Sequence, residues 1–254
     1  MADAVRDCTR ITSFLAILFT SMQSGMGNSV ATESVEKNRQ DLHKIHSLYI
    51  LISGWCSITF FALVQPFMVL WVGKDLMFPT GIAAMLAVYF YTMKMTDTVN
   101  AYLSATGLWW KCKHTYLIEA VTNITLNILL GKYFGVVGII VATMISVVFV
   151  NYACTLVIVC RNYFGREEIR IFLIKELSYF VISMAIGIIT WCFCHFSYYS
   201  ETGSGIIITL LIRLAFCVIA VPGIYFLILH RNEEVRGAVK WLLPNVKKFV
   251  RRKQ

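Results

Sequence analysis

Lys94, Asp97 and Asn100 stand three residues apart in one apolar stretch of this chain. That spacing puts side chains on a common face if the stretch is helical. An ammonium and a carboxylate so placed can pair. At membrane depth each is costly, about 2.5–3.5 kcal/mol on insertion scales, so such groups neutralise one another or line a wet passage. In a passage the lysine would receive an anion and Asp97 would be the candidate for proton coupling. Asn100 would extend the polar stripe as a further binding group. Arg213 poses the problem more sharply, because it lies midway along the last apolar stretch with no acidic residue beside it. It needs a partner from another helix, water or a phosphate, and a guanidinium is a good bidentate phosphate ligand.

The remaining polar residues carry less chemistry. Glu119 lies within reach of Lys111 or Lys113 if those lysines snorkel. Asn123, Asn127 and Asn151 read first as amides that bond between helices. Gly135, Gly138 and Ala142 make a small-residue seam at helical spacing, which lets two backbones approach closely. Most of the eight cysteines fall in apolar runs, where Cys behaves as a small hydrophobe. Cys192, Cys194 and His195 lack a second ligand pair, so no metal is expected. The five histidines are His43, His46, His114, His195 and His230, scattered at the ends of the apolar stretches. No catalytic constellation or cofactor site emerges, and the reading is of a protein that is not an enzyme.

The elements that must position these residues follow from composition. Of 254 residues, 58% are apolar and 15% charged, against roughly 45–50% and about 25% in a soluble domain. This excludes a disordered chain and points to an all-α membrane protein. Stretches long enough for a bilayer, about 20 apolar residues, occur near 11–31, 47–72, 80–106, 114–131, 135–160, 177–196 and 205–229. That makes about seven transmembrane helices within residues 1–229. Residues 230–254 read as a basic amphipathic tail lying on anionic membrane lipids. The net charge of +9 is carried by short connections and this tail, without a basic aromatic face, so no nucleic-acid partner is expected.

Basic residues favour the cytoplasmic side. Seventeen occupy the loops 32–46, 107–113 and 161–176 and the tail, while the alternate turns hold two, Lys74 and Lys132. A cytoplasmic C-terminus follows. Seven spans then place the N-terminus outside, with no signal peptide to deliver it, and the expectation is a chain preceded by at least one further span.

Three ordered segments resemble a family. Asn123-Ile-Thr-Leu-Asn127, followed by Phe134-Gly-Val-Val-Gly138 and Ala142-Thr143-Met-Ile-Ser146, is similar to a pattern of polysaccharide biosynthesis proteins. These are the lipid-linked oligosaccharide (O-antigen and capsule) flippases of the multidrug/oligosaccharidyl-lipid/polysaccharide exporter superfamily. Asn100-Ala-Tyr-Leu-Ser-Ala-Thr-Gly107 and Ser29-Val-Ala-Thr-Glu33 through Lys37 resemble two more of its segments, so the likeness runs over roughly 20–160. It implies most of the second lobe of a two-lobed fold in the bacterial inner membrane, with the first lobe or polysaccharide-assembly proteins as partners. It also implies export of an undecaprenyl-diphosphate-linked oligosaccharide by alternating access. The motifs do not include Lys94, Arg213 or Asp97, whose candidate roles rest on depth and charge, while Asn100 opens one of the quoted segments.

Two readings compete. A multidrug exporter of the same superfamily would want acidic rather than cationic intramembrane groups. A seven-span receptor would show an acidic-arginine pair ending the third span and an asparagine-proline signature in the last, for which Val221-Pro222 is a poor substitute.

Overall fold

The computed structural model describes residues 25–73, 79–197, 203–233 and 235–237. The expected span at 11–31 falls outside them up to residue 24, and the tail lies outside them from 238. Among the described residues there is no strand; 25–32 are helical and seven α-helices follow. Helix α1, Val35–Val72, starts where the Ser34 side chain accepts a hydrogen bond from the Lys37 amide and stops at Gly73, whose φ is +85°. Helices α2, Thr80–Met95, and α3, Asp97–Ala105, are separated at Thr96. Helix α4, Trp109–Ile145, runs on through a π-helical stretch, Ser146–Tyr152, then α5, Ala153–Val159, and a second π-helical stretch, Cys160–Phe164. Gly165 breaks the run, and α6, Glu167–Phe196, and α7, Gly203–Leu229, follow.

Helix α4 is folded on itself. Gly135 has φ +59° and ψ −137°, a conformation that glycine adopts without steric penalty. Contacts across it pair residues far apart in sequence: Asn151 donates to Glu119 at 2.7 Å, and Lys111 donates to Asn162. The turn is tight enough that a Cβ on Gly138 would lie 2.1 Å from the Leu130 carbonyl oxygen. The Gly135–Gly138–Ala142 seam is therefore a backbone contact within one helical hairpin.

Among the described residues four helical runs are long and apolar enough to cross a membrane: Val35–Trp71, Trp109–Phe164, Glu167–Phe196 and Ser204–Leu229. This fits an all-α, multi-pass membrane protein. Seven separate spans are not established. The stretch 80–106 is divided at Thr96, and 114–131 and 135–160 are the two arms of the hairpin.

The polar stretches 32–46 and 161–176, expected as loops, are a correction: they are helical from Val35 and from Glu167. Asn38, His43, His46, Glu168 and Glu176 of these stretches are buried in the bundle, while Glu36, Lys37, Arg166, Glu167 and Arg170 stay exposed. Helix α1 is the central helix, packed on α2, α6 and α7. The exposed surface is apolar along both hairpin arms, at Leu117, Ile124, Ile128, Val136 and Phe149.

Candidate functional site

A polar seam runs between α1 and α6. The buried positions of α6 are Glu168, Phe172, Glu176, Tyr179, Ser183, Ile186 and Thr190, a three-to-four-residue spacing that places them on one face. Helix α1 answers with Arg39, His43, His46 and Ser47.

At the first level Glu168 is gripped twice, by Arg39 Nη1 at 2.6 Å and His43 Nε2 at 2.8 Å. Arg39 also forks onto Glu36. Lys175 Nζ lies 3.2 Å from His43 Nδ1. An ammonium can only donate and a carboxylate only accept, so the neighbours assign the proton to Nε2 and leave Nδ1 as the acceptor. His43 is thus a neutral bridge from Lys175 to Glu168.

At the second level, two turns along α6, His46 Nε2 stands 2.8 Å from Glu176 Oε2 and His46 Nδ1 pairs with Thr98 Oγ1 at 2.8 Å. The Phe172 ring separates the two levels, with centroids 5.3 Å from His43 and 4.4 Å from His46. Beyond them Ser47 pairs with Tyr179 and Tyr225 donates to Ser183. Gly54 makes that last pair possible, because a Cβ there would meet Tyr225 Oη at 2.5 Å and Ser183 Oγ at 2.7 Å.

Asn38, fully buried, is a hub at the seam's near end. Its amide donates to Tyr163 Oη at 3.0 Å and to the carbonyls of Ser29 and Ser34, and its Oδ1 accepts from Ser29 Oγ.

Lys94 and Asp97 meet at the break between α2 and α3, with Lys94 Nζ 3.0 Å from Asp97 Oδ2. Asp97 Oδ2 also accepts from the Tyr49 hydroxyl of α1. The Lys94 side chain is 37% exposed. Asn100 is half-buried on the same segment, with a shielded Oδ1 that accepts no hydrogen bond.

Arg213 is held elsewhere. It is buried, and its guanidinium donates to the Ala62 carbonyl at 3.2 Å and the Cys194 carbonyl at 3.1 Å. Both carbonyls have a reason to want a donor. Pro66 stands four residues after Ala62 inside α1 and has no N–H to offer it. Cys194 is in the last turn of α6, where carbonyls lack main-chain partners within the helix, and its carbonyl also accepts from Ser197 Oγ at 3.3 Å. The guanidinium is thereby engaged by main chain from two other helices.

Several pairings differ from expectation. Glu119 takes Asn151 instead of a snorkelling lysine, while Lys113 sits 4.0 Å over the Trp110 ring. Asn127 donates to Asn123 within one helix, not between helices. His43 and His46 are not scattered at span ends but meet buried carboxylates in the bundle. Sequence reasoning missed both histidines, Asn38, Glu168 and Glu176. The available signal was their three-to-four-residue period, continuous with Ser53, Ser57 and Ser183. Among the described residues no three His, Cys, Asp or Glu side chains gather to hold a metal ion.

No family profile, curated protein or solved structure matches this chain.

Proposed function

We propose that the chain is a transporter without enzymatic chemistry. Its cargo in this reading is an undecaprenyl-diphosphate-linked oligosaccharide, moved across a bacterial inner membrane for O-antigen or capsule synthesis, with the C-terminus on the cytoplasmic side. The observation that carries the reading is the Lys94–Asp97 pair on either side of Thr96, whose backbone stays α-helical at φ −77° and ψ −24°. Ionisable groups at membrane depth are costly and commonly mark substrate or ion pathways. Lys94 is accessible enough to exchange Asp97 for a diphosphate, and Asp97 would keep its bond from Tyr49. Arg213, engaged on carbonyls, positions α1, α6 and α7 in this scheme, and the cationic contact falls to Lys94 with Asn100 beside it. The three family-like segments support the choice of cargo.

One observation favours export of a soluble cation instead: Glu176 is a buried carboxylate that, among the described residues, pairs with His46 and with neither Lys nor Arg.

The test uses the full chain in proteoliposomes, with a fluorescent undecaprenyl-diphosphate oligosaccharide whose leaflet is read by an impermeant quencher. The chain should accelerate translocation, and Lys94→Ala should slow it about tenfold, the loss of one charge-assisted contact of about 1.5 kcal/mol. Equal rates in Lys94→Ala and wild type would remove Lys94 from the cargo site. Efflux of a lipophilic cation without lipid translocation would select the second reading.

A further inference from the structure

Glu168 and Glu176 lie on the same face of α6, and their surroundings differ in kind. Glu168 has a fixed cation, Arg39, and a neutral histidine. Its charge is compensated whatever the pH. Glu176 has one titratable group in contact, His46, and neither of its oxygens accepts an aligned hydrogen bond. Both partners are shut away from solvent, His46 at 1% exposed and the Glu176 side chain at 7%.

We infer that His46 and Glu176 together bind one exchangeable proton and form the ionic coupling site of the transporter. As a coupling role this rests on the transport reading; as a proton site it stands on the geometry. With its proton the pair is neutral overall, and the closed interior favours imidazole and carboxylic acid over the separated charges. Loss of the proton to water leaves imidazole and carboxylate, one net negative charge with no lysine or arginine touching it. An uncompensated charge in a closed interior is strongly disfavoured. Release therefore favours conformations in which water reaches the pair, and that requires α1 and α6 to part. The protonated pair belongs to the packed seam and the deprotonated pair to an opened one.

The groups that face the pair are consistent with this. Tyr91 of α2 and Tyr152 of the first π-helical stretch are within electrostatic range of Glu176, and the buried Tyr152 hydroxyl has no hydrogen-bond partner. Thr98 of α3 holds the other ring nitrogen of His46. On α6, Lys175 is turned to His43, and Tyr179 to Ser47; on α7, Tyr225 is turned to Ser183. None brings a fixed cation to Glu176. Asp97, the candidate that the sequence offered for proton coupling, is paired with Lys94 and accepts from Tyr49, so its charge has a fixed cation beside it, unlike that of Glu176.

The experiment titrates the full chain in lipid nanodiscs by pH-difference infrared spectroscopy, with protons as the only ligand. Wild type should show a buried carboxyl band that appears as pH falls, together with an imidazole change. Glu176→Gln should abolish the band, Glu176→Asp should shift it, and Asp97→Asn should leave it unchanged. No titrating buried carboxyl in wild type, a band that survives in Glu176→Gln, or loss of the band in Asp97→Asn would each overturn the proposal. Should Glu176→Gln fail to fold, Glu176→Asp decides alone: a shifted band supports the site and an unshifted one refutes it. Titration in a chain that moves no lipid-linked oligosaccharide would end the transport reading and leave the proton site. Translocation without a titrating buried carboxyl would do the reverse.

Discussion

The hairpin around Gly135 and the α1–α6 seam solve opposite packing problems. The hairpin exposes its apolar side chains, Leu117, Ile124, Ile128 and Val136 among them, and its close contact is main chain on main chain at Gly138 and Leu130. The seam hides its polar side chains and is held by charge and hydrogen bonds. In water the hydrophobic effect would favour burying the hairpin's surface. In a bilayer that driving force between helices is absent, and association rests on close packing and interhelical polar contacts. One region uses each route. The comparison says that shape should fail first in the hairpin and chemistry first in the seam.

Gly138→Leu is expected to have the largest effect. Its first side-chain atom would lie 2.1 Å from a main-chain oxygen, so the backbone of an arm must move. Overpacking usually costs 1–3 kcal/mol, and this site belongs at about 3 kcal/mol because no flexible side chain can yield. The thermal midpoint of the purified chain in detergent checks it; an unchanged midpoint would mean that the arms do not meet as described. Glu168→Gln attacks the seam while leaving its shape intact. It exchanges an ion pair with Arg39 and a charge-assisted bond from His43 for neutral contacts. Arg39 is partly exposed and keeps Glu36, so the expected loss is moderate, about 2 kcal/mol. Chemical denaturation should show that loss, and a loss much below it would make the seam a matter of packing alone.

The two regions were unequally legible in the sequence. Hydropathy finds the hairpin, because apolar length is a strong signal and Gly135 with Gly138 marks its turn. The same signal hides the seam. Arg39, His43, Lys44 and Asp41 lower the hydropathy of the first turns of α1, and Arg166, Glu168, Arg170 and Lys175 do so for α6, so both read as loops. The decisive property was periodic: Glu168, Glu176, Tyr179 and Ser183 share a face with Phe172 and Ile186. An averaged window erases that period, and a search for apolar faces looks for the wrong polarity. Lys94 and Asp97 were legible because they are adjacent in sequence terms, a pair within one turn. His46 and Glu176 come from helices more than a hundred residues apart, and only the fold brings them together.

Arg213 joins the seam to the extremities of its helices, and it allows the finest test. From sequence it was an arginine in search of an anion. In the structure it satisfies carbonyls that the sequence had already deprived of donors, one by Pro66 and one by the end of α6. That account makes a claim about two residues at once. Arg213→Met should destabilise the chain, since it leaves the Ala62 carbonyl without its donor, while the Cys194 carbonyl keeps the Ser197 hydroxyl. Pro66→Ala restores an N–H four residues after Ala62, so the carbonyl regains an intrahelical donor and needs the guanidinium less. In the Pro66→Ala background the cost of Arg213→Met should therefore shrink by about 1 kcal/mol, the net value of one hydrogen bond. A double-mutant cycle on unfolding free energies reads that difference directly. Additive effects would mean that Arg213 does not serve the Pro66 gap.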